Sequence, residues 1–392
     1  MGVLGSVVKI LLLHVVVVVG LLGYELYFLV TGHSKYPGAA EDPEFKMNAA
    51  QFTEVGDASV IKLRQIPRPA CCSDTQILVK VLSAAINPVD FKQRRNPNPE
   101  QMVPLPKVTG YDFAGTVEKI GTNVRSFRDG DAVYGMLPLM GQRWGAVQEY
   151  VVVDHSIVAH APKSIPLREA AALPLVGLTV VQSFEPVVKV WRSNPIEQQR
   201  KVLIQAGAGG VGTFGIQYAA QILNASVATT ASAKKSGIVK DLGASVVVNY
   251  REQKFEEVLT DYDAVLDVVT QEYEERTLAS AVLKPGGKGH YINVLSTDWK
   301  ENDRESSVVF ALAPFLKKWV YWALALSGRG VHYHCNPVAP SGEGLRHIAD
   351  WVDAGLVKPI IDRSFEMSET AKAHEYLETG RATGKVLIDV SQ

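Results

Sequence analysis

The stretch LIQAGAGGVGTFGIQYAAQ, residues 203–221, constrains the fold more than any other part of the chain. Gly207, Gly209 and Gly212 stand at G-x-G-x-x-G spacing between an apolar run and a segment of helical periodicity. Strand, glycine turn and helix in that order are what a dinucleotide-binding βαβ unit requires. Gly207 suits the tight turn, Gly209 lets backbone approach a pyrophosphate, and Gly212 lets the helix pack close to the strand. Ala208, Gly210 and Val211 complete the turn, whose helix N-terminus offers unpaired N–H groups to phosphate. The other reading open to the motif is a glycine turn that serves helix packing alone.

The flanking sequence shows two textures. KVLIQAG, SVATTA, ASVVVNY, DAVLDVV and GHYINVL are nearly unbroken apolar strands alternating with helices, the pattern of a parallel sheet buried on both faces. Before them, ILVKVLSAAI, GTVEKI, DAVYGM and QEYVVV lie between Pro, Gly and Asn turns, as in a mostly antiparallel, barrel-like unit. At 392 residues and 47% hydrophobic content the chain can bury the cores of two such units. The expected organisation is a membrane anchor over 1–32, a linker over 33–48, a barrel domain over 49–168 completed by about 330–392, and a nucleotide-binding domain over 169–329.

Residues 10–30, ILLLHVVVVVGLLGYELYFLV, are long and apolar enough to cross a bilayer, interrupted only by His14 and Glu25. They are expected to form an N-terminal transmembrane helix with the lipid bilayer as partner; a cleaved signal peptide is the alternative. Gly2 in MGVLGS fits a myristoylation pattern. A second apolar stretch, residues 310–328, is broken by Pro314, Lys317 and Lys318 and reads as a core or interface helix, or as a segment at a membrane surface. A net charge of -1 without a basic, aromatic-laced cluster excludes nucleic acid as a partner. Three cysteines without a C-x-x-C pair exclude a disulfide framework and a four-cysteine zinc site; the vicinal Cys71 and Cys72 read as exposed thiols.

The strand after the glycine helix selects the nicotinamide cofactor. Its sequence TTASAKKSG lacks the carboxylate that binds ribose hydroxyls in NAD sites. Ser232, Lys234 and Lys235 stand there instead, and a hydroxyl with positive charge suits the 2′-phosphate of NADPH. The competing reading of the lysines is a solvated helix face. Tyr250 is expected against the adenosine end.

AINPVDFKQR, GYDFAGTVEKIGTNVRSFRDGDAVYG, AALPLVGLTVVQSF, LIQAGAGGVG and VVVNYRE occur in this order, and from about residue 52 onward the chain resembles the medium-chain dehydrogenase/reductase superfamily. It is most similar to the zinc-free quinone oxidoreductase branch, and GVHYHCNPVAPSGEGLRHIADWVDAGLVKPIIDRSF and GRATGKVLIDV resemble the mitochondrial reticulon-interacting NADPH oxidoreductases. The resemblance implies an α/β chain: a GroES-like antiparallel β-barrel catalytic domain plus a Rossmann doubly wound parallel sheet. It also implies hydride transfer from NADPH to a quinone or α,β-unsaturated carbonyl, and a homodimer. A mitochondrial membrane is favoured, with the endoplasmic reticulum open. Zinc alcohol dehydrogenases carry Cys, His and Glu in the segments matching AINPVD and GYDFAG. Here Asn87, Tyr111 and Asp112 stand there, so no metal is expected. By the same resemblance Asn87, Asp90, Lys92 and Tyr111 line the catalytic cleft, with Thr179 and Val294 beside the nicotinamide. Asn87 is placed to donate to a carbonyl oxygen. Lys92 stands where related reductases have Tyr, which leaves the proton donor open. Asn87 and Asp90 also fit a local turn motif, and Tyr111 fits core packing. An enoyl-thioester reductase and a catalytically idle NADPH-binding scaffold remain as alternative functions.

Overall fold

The computed structural model describes residues 41–95, 104–139, 143–269, 271–294, 320–321, 324–325, 330–335 and 337–391. Eight strands come first: β1 (Glu41–Phe52), β2 (Lys62–Pro69), β3 (Gln76–Ile86), β4 (Lys107–Val108), β5 (Asp112–Ile120), β6 (Ala132–Met136), β7 (Tyr150–Asp154) and β8 (Val158–His160). β1 reaches back into the residues read as a linker, because its backbone pairs with β2 from Glu41 opposite Pro69 onward. β2, β1 and β4 form one antiparallel sheet; β3, β5, β6 and β8 belong to a second, with β7 paired to β3. The two enclose Ile77, Val79, Phe113, Val133 and Val151, apolar residues brought to one side by the period-two alternation of strands. Helix α1 (Pro88–Arg95) leaves β3 through Pro88, whose missing N–H costs nothing in a first helical turn.

Helix α2 (Pro174–Ser193) leads into the second layer. Here β9 (Lys201–Ile204), α3 (Gly210–Gln217), β10 (Ser226–Ala231), α4 (Ser236–Asp241), β11 (Ala244–Asn249), β12 (Ala264–Asp267), α5 (Gln271–Leu278), β13 (His290–Asn293) and β14 (His332–Cys335) alternate. The six strands are all parallel, in the order β11-β10-β9-β12-β13-β14. Val202 and Ile204 of β9 pack into one core and Leu203 into another on the opposite face, which is why these strands are apolar without alternation. Strand order reverses between β9 and β12, so a crevice opens at the carboxyl ends of these two strands, the place where open α/β sheets bind ligands.

The chain closes with α6 (Gly342–Asp353), β15 (Ile361–Glu366), α7 (Thr370–Glu378) and β16 (Lys385–Asp389). β16 returns to the barrel, antiparallel to β3 with Val386 opposite Ile86. One core cluster joins Ala85, Tyr134 and Met136 of the barrel to Leu178, Ile204 and Leu266 of the parallel layer, so the two layers are packed against each other.

Three expectations are corrected. Among the described residues no helix is long and apolar enough to cross a membrane. The expected transmembrane helix, residues 10–30, lies outside the described residues, as does Gly2. Among the described residues the fold class is barrel plus parallel sheet with no membrane-crossing helix, and the single-pass membrane localisation and the bilayer partner are withdrawn. The apolar stretch 310–328 also lies outside the described residues, apart from 320–321 and 324–325. Cys71 and Cys72 are joined to each other in the loop before β3, while Cys335 is buried on β14.

The glycines give a stability test. A Cβ on Gly212 would overlap Ala206 O and come 2.6 Å from Gly207 Cα, backbone that cannot yield. Gly237, in α4, has nothing within 4 Å of the same position. Gly212→Ala is expected to lower the thermal midpoint by the equivalent of about 1–3 kcal/mol. Gly237→Ala should raise it by about 0.5–1 kcal/mol. Differential scanning calorimetry of the two variants checks both signs, and a neutral Gly212→Ala would refute the close helix-to-turn packing.

Candidate functional site

The glycine turn sits at the carboxyl end of β9. Its left-handed residue is Ala206, with φ of 49°. Gly207 is required for a different reason from the one its spacing suggests: a Cβ there would overlap Thr229 Oγ1 on β10. Gly209 is the open position, where the nearest atom to an added Cβ is Ala206 O at 3.4 Å. It caps α3 with no side-chain hydrogen bond, leaving the first N–H groups of that helix to face the crevice. Ala208 O accepts from Gly384 N at 2.9 Å, so the turn is tied to the residue preceding β16. Val176 of α2 and the Lys385 stem lie 3.1 Å from where a Cβ on Gly210 would stand.

That contact leads into a buried polar cluster. Lys385 Nζ donates to Asn87 Oδ1, to Asp112 Oδ2 at 3.0 Å and to Ile86 O at 3.3 Å. Asn87 Nδ2 donates to the same Asp112 Oδ2 at 2.9 Å, and Leu175 N donates to Asp112 Oδ1 at 2.7 Å. Asn87, Asp112 and Lys385 are all buried. Elements far apart in sequence supply them: Asn87 joins β3 to α1, Asp112 opens β5, and Lys385 opens β16. A buried charge is tolerable only when paired and hydrogen-bonded, and here all three ammonium protons have an acceptor.

Asp90 organises the layer beneath. Its carboxylate accepts from Asn87 N and Gly110 N, each at 2.7 Å, and from Thr109 Oγ1 at 3.4 Å. Burial pushes Asp90 up to about 6, against the pull of the two backbone N–H groups. The Tyr111 hydroxyl lies against Gln93 Oε1 and Leu139 O, and burial raises it well above an ordinary phenol. His374 Nε2 meets Thr109 Oγ1 at 3.1 Å, and burial pushes this imidazole down to about 3.

The expected site residues therefore fall into groups. Asn87, Asp90 and Tyr111 come together around β3, α1 and β5, and Lys92 is half-buried on α1. Thr179 is buried on α2, one turn beyond Val176. Val294 follows β13, its N–H donating to Asp267 O at 3.0 Å. Ser232 and Tyr250 follow β10 and β11 at the same edge of the sheet as the glycine turn. Lys235 Nζ donates to Arg381 O at 2.8 Å and Ala382 O at 2.9 Å, so this ammonium clamps the chain just before β16, while Lys234 is exposed. Sequence reasoning missed Lys385 and Lys107, and it used Asp112 only as a sign of an absent zinc site. The signal for Lys385 lay in GRATGKVLID, a lysine directly after a glycine, which has φ of 77°.

A family described as alcohol dehydrogenase GroES-like domain matches residues 73–163, and one described as zinc-binding dehydrogenase matches 242–388. The 2-methylene-furan-3-one reductase of Solanum lycopersicum is 34% identical over 350 residues, covering 88% of this chain and 79% of the relative. The mitochondrial NAD(P)H oxidoreductase RTN4IP1 of Homo sapiens is 30% identical over 369 residues, covering 88% and 89%. The quinone oxidoreductase of Coxiella burnetii superposes with a TM-score of 0.72 at 29% identity, covering 88% of this chain and all of that one.

The Lys385 cluster makes a stability prediction. Lys385→Met leaves Asp112 buried without its cation, and the expected loss is about 3–5 kcal/mol. Lys385→Met combined with Asp112→Asn should recover part of it, since the orphaned charge is then gone. Urea unfolding of the four proteins of that cycle measures the coupling; additive losses would show that the pair is not a unit.

Proposed function

The chain belongs to the medium-chain dehydrogenase/reductase superfamily, and from that premise we propose that it is an NADPH-dependent, zinc-independent oxidoreductase acting on a quinone or an α,β-unsaturated carbonyl. The observation that carries the zinc-independent reading is the place of Lys385. In the segments where zinc alcohol dehydrogenases hold their ligands, this chain sets an ammonium between Asn87 Oδ1 and Asp112 Oδ2. An ammonium donates three hydrogen bonds and offers no lone pair, so the donor set suits a fixed positive charge rather than a tetrahedral cation.

The residues present fit a dinucleotide. Gly209 leaves open space where a side chain would stand, and α3 begins beside it with uncapped N–H groups. Ala208, Gly210, Val211 and Gly212 would hold the pyrophosphate, Ser232 with Lys234 and Lys235 the 2′-phosphate, and Tyr250 the adenosine end. Thr179 and Val294 would border the nicotinamide. When bound, the reduced nicotinamide supplies the hydride.

The protein's own part is orientation and charge. Asn87 gives one amide hydrogen to Asp112, which leaves the second for a substrate oxygen. The Lys385 ammonium on Asn87 Oδ1 polarises that amide and makes it a stronger donor. Quinones and enones are already activated by conjugation, so one preorganised donor and correct placement can carry the reduction.

Two tests follow from this reading. Absorbance at the NADPH band should fall on addition of quinones or enals, with the rate unchanged by a metal chelator. Activity lost on chelation and restored by zinc would overturn the zinc-independent mechanism. A rate confined to enoyl-thioesters would move the substrate class, and binding without turnover of any acceptor would leave only a scaffold. In the second test, NADPH should bind at least about tenfold more tightly than NADH, as expected of charge-assisted contacts to one phosphate. Lys234→Glu with Lys235→Glu should erase that preference in fluorescence titration; equal affinities in the wild type would contradict it.

A further inference from the structure

Besides the barrel residues, the crevice is bordered by the chain segments that leave β12 and β13 at their carboxyl ends. Val268, Val269 and Val294 are half-buried there, and one residue ties both segments. The N–H of Val269 donates to Asp267 Oδ1 at 2.8 Å, and the N–H of Val294 donates to the backbone oxygen of the same aspartate at 3.0 Å. Asp267 Oδ2 accepts from the Tyr291 hydroxyl of β13 at 2.7 Å. Asp267 is 2% exposed. It stands two residues beyond Val265, so its side chain enters the core that Val265, Leu203 and Tyr291 share. From α5, Tyr273 and Glu274 face it; Glu274 Oε2 accepts from Asn293 Nδ2 at 3.0 Å and from the Tyr333 hydroxyl of β14 at 3.1 Å. Arg276, the cation of α5, is held by Glu256 and Glu272, and Cys335 of β14 lies beside Tyr333. His290, His332 and His334 stack with one another on the other face of these strands, and β9 contributes the uncharged Leu203 and Gln205.

We propose that Asp267 is a positioning residue for the nicotinamide cofactor: with its carboxylate and its backbone oxygen it fixes the two segments, at Val269 and Val294, against which the cofactor would lie. The inference rests on the reading of the crevice as an NADPH site. A carboxylate is needed for a chemical reason. The Val269 N–H and the Tyr291 hydroxyl are both donors, and a carboxylate offers two accepting oxygens and no donor. An amide in its place accepts from one of them and turns a donor on the other. The negative charge also makes the bond from Val269 charge-assisted, roughly twice as strong as its neutral counterpart. A segment already held in this way costs less to order when a ligand arrives.

The strength of this tie depends on pH. Burial, with the Glu274 carboxylate beside it, pushes Asp267 up to about 6, against the pull of the Val269 N–H and the Tyr291 hydroxyl. The folded value lies above the ordinary carboxylate range, so the charge is present above about pH 6 and lost as pH falls through it. Burial also holds the Tyr291 hydroxyl well above an ordinary phenol, so it keeps its proton throughout that range. A proton taken up by Asp267 lies between Oδ2 and the Tyr291 oxygen, and Oδ1 is left as a neutral acceptor for Val269. The tie is then weakened rather than broken, and cofactor affinity falls with it.

The experiment measures the Kd of NADP+, the acid-stable form of the cofactor, by titration calorimetry at pH 5 and pH 8. The 2′-phosphate titrates in the same range, so each variant is compared with wild type at the same pH, where that titration cancels. Asp267→Asn, which accepts from Val269 without charge, should bind about fivefold more weakly than wild type at pH 8, the difference between a charge-assisted and a neutral hydrogen bond, and equally well at pH 5. Asp267→Ala leaves the Tyr291 hydroxyl unpaired in the core, so it should lose thermal stability as well as affinity. Adding Tyr291→Phe should raise the melting temperature again and leave the affinity low. A ratio of wild type to Asp267→Asn that does not change with pH, or an affinity that returns with the melting temperature in the double variant, overturns the proposal. Hydrogen exchange of the wild type needs no variant: the Val269 amide should be protected at pH 8 and, after correction for the intrinsic rate, about fivefold less at pH 5. An amide unprotected at pH 8 overturns the proposal even if no variant folds. A wild type that binds neither NADPH nor NADP+ overturns the cofactor reading and this inference with it. A wild type that binds while the variants fail these comparisons overturns this inference alone.

Discussion

The ion pair of Lys385 with Asp112 is the contact on which the arrangement of the molecule turns. Bringing an ammonium and a carboxylate out of water costs several kcal/mol for each ion unless their hydrogen-bonding capacity is filled. Filling it here recruits four elements. Asp112 opens β5 and takes the N–H of Leu175 at the start of α2; Asn87 closes β3; Lys385 brings β16 against β3. Gly384, the residue before Lys385, bonds to the glycine turn through Ala208 O. One buried charge pair thereby fixes the barrel, the first helix of the parallel layer and the turn at the end of β9 relative to one another.

That arrangement also narrows the chemistry. A zinc ion in such a cleft would act as a Lewis acid on an oxygen that binds it directly. The Lys385 ammonium has all three protons engaged with protein acceptors, so under the proposed function its charge would act on a substrate only through Asn87 and the local field. Such indirect polarisation is weak beside direct coordination, and it is matched to acceptors whose conjugation already lowers the barrier to hydride addition. The position of the crevice, where strand order reverses between β9 and β12, brings the carboxyl ends of both strands to the same cleft.

Much of this was legible in the sequence, and the omissions have physical causes. The unbroken apolar runs around β9, β10 and β12 announce a parallel sheet, because burial on both faces removes alternation. The G-x-G-x-x-G spacing identified the turn but misassigned one role within it: Ala206 carries the left-handed conformation, and Gly207 is there because Thr229 Oγ1 leaves no room for a Cβ. Lys385 escaped notice because a lysine opening an apolar strand is by default a solvated end. Its partner Asp112 lies 273 residues earlier, a pairing that no local pattern records. Lys107 was hidden in the same way, within PLPKVTG, where a turn-rich context suggests exposure. Hydropathy alone suggested a membrane helix over 10–30; no described helix spans a membrane, and the architecture stands on the folded layers.

The buried charges also divide the labour between the two layers. Asp90, Lys107, Asp112 and Lys385 all belong to strands or helices of the barrel, and Lys385 and Asp112 are joined there as an ion pair. The parallel layer contributes to the crevice mainly uncharged backbone, the N–H groups at the start of α3 and the open face of Gly209. The charges of the Lys385–Asp112 pair largely cancel at the distance of the glycine turn, so an anion arriving there meets helix N–H dipoles rather than a naked cation. The same pairing holds Asn87 in place before any ligand arrives. Its side chain is set by Lys385 and Asp112 and its backbone by Asp90, so no reorganisation of that donor is needed when charge develops on a bound oxygen. Asn87 stands between the Lys385–Asp112 pair and the Asp90 carboxylate, and on the proposed reading that position, rather than the reactivity of its amide, would suit it to orient a substrate.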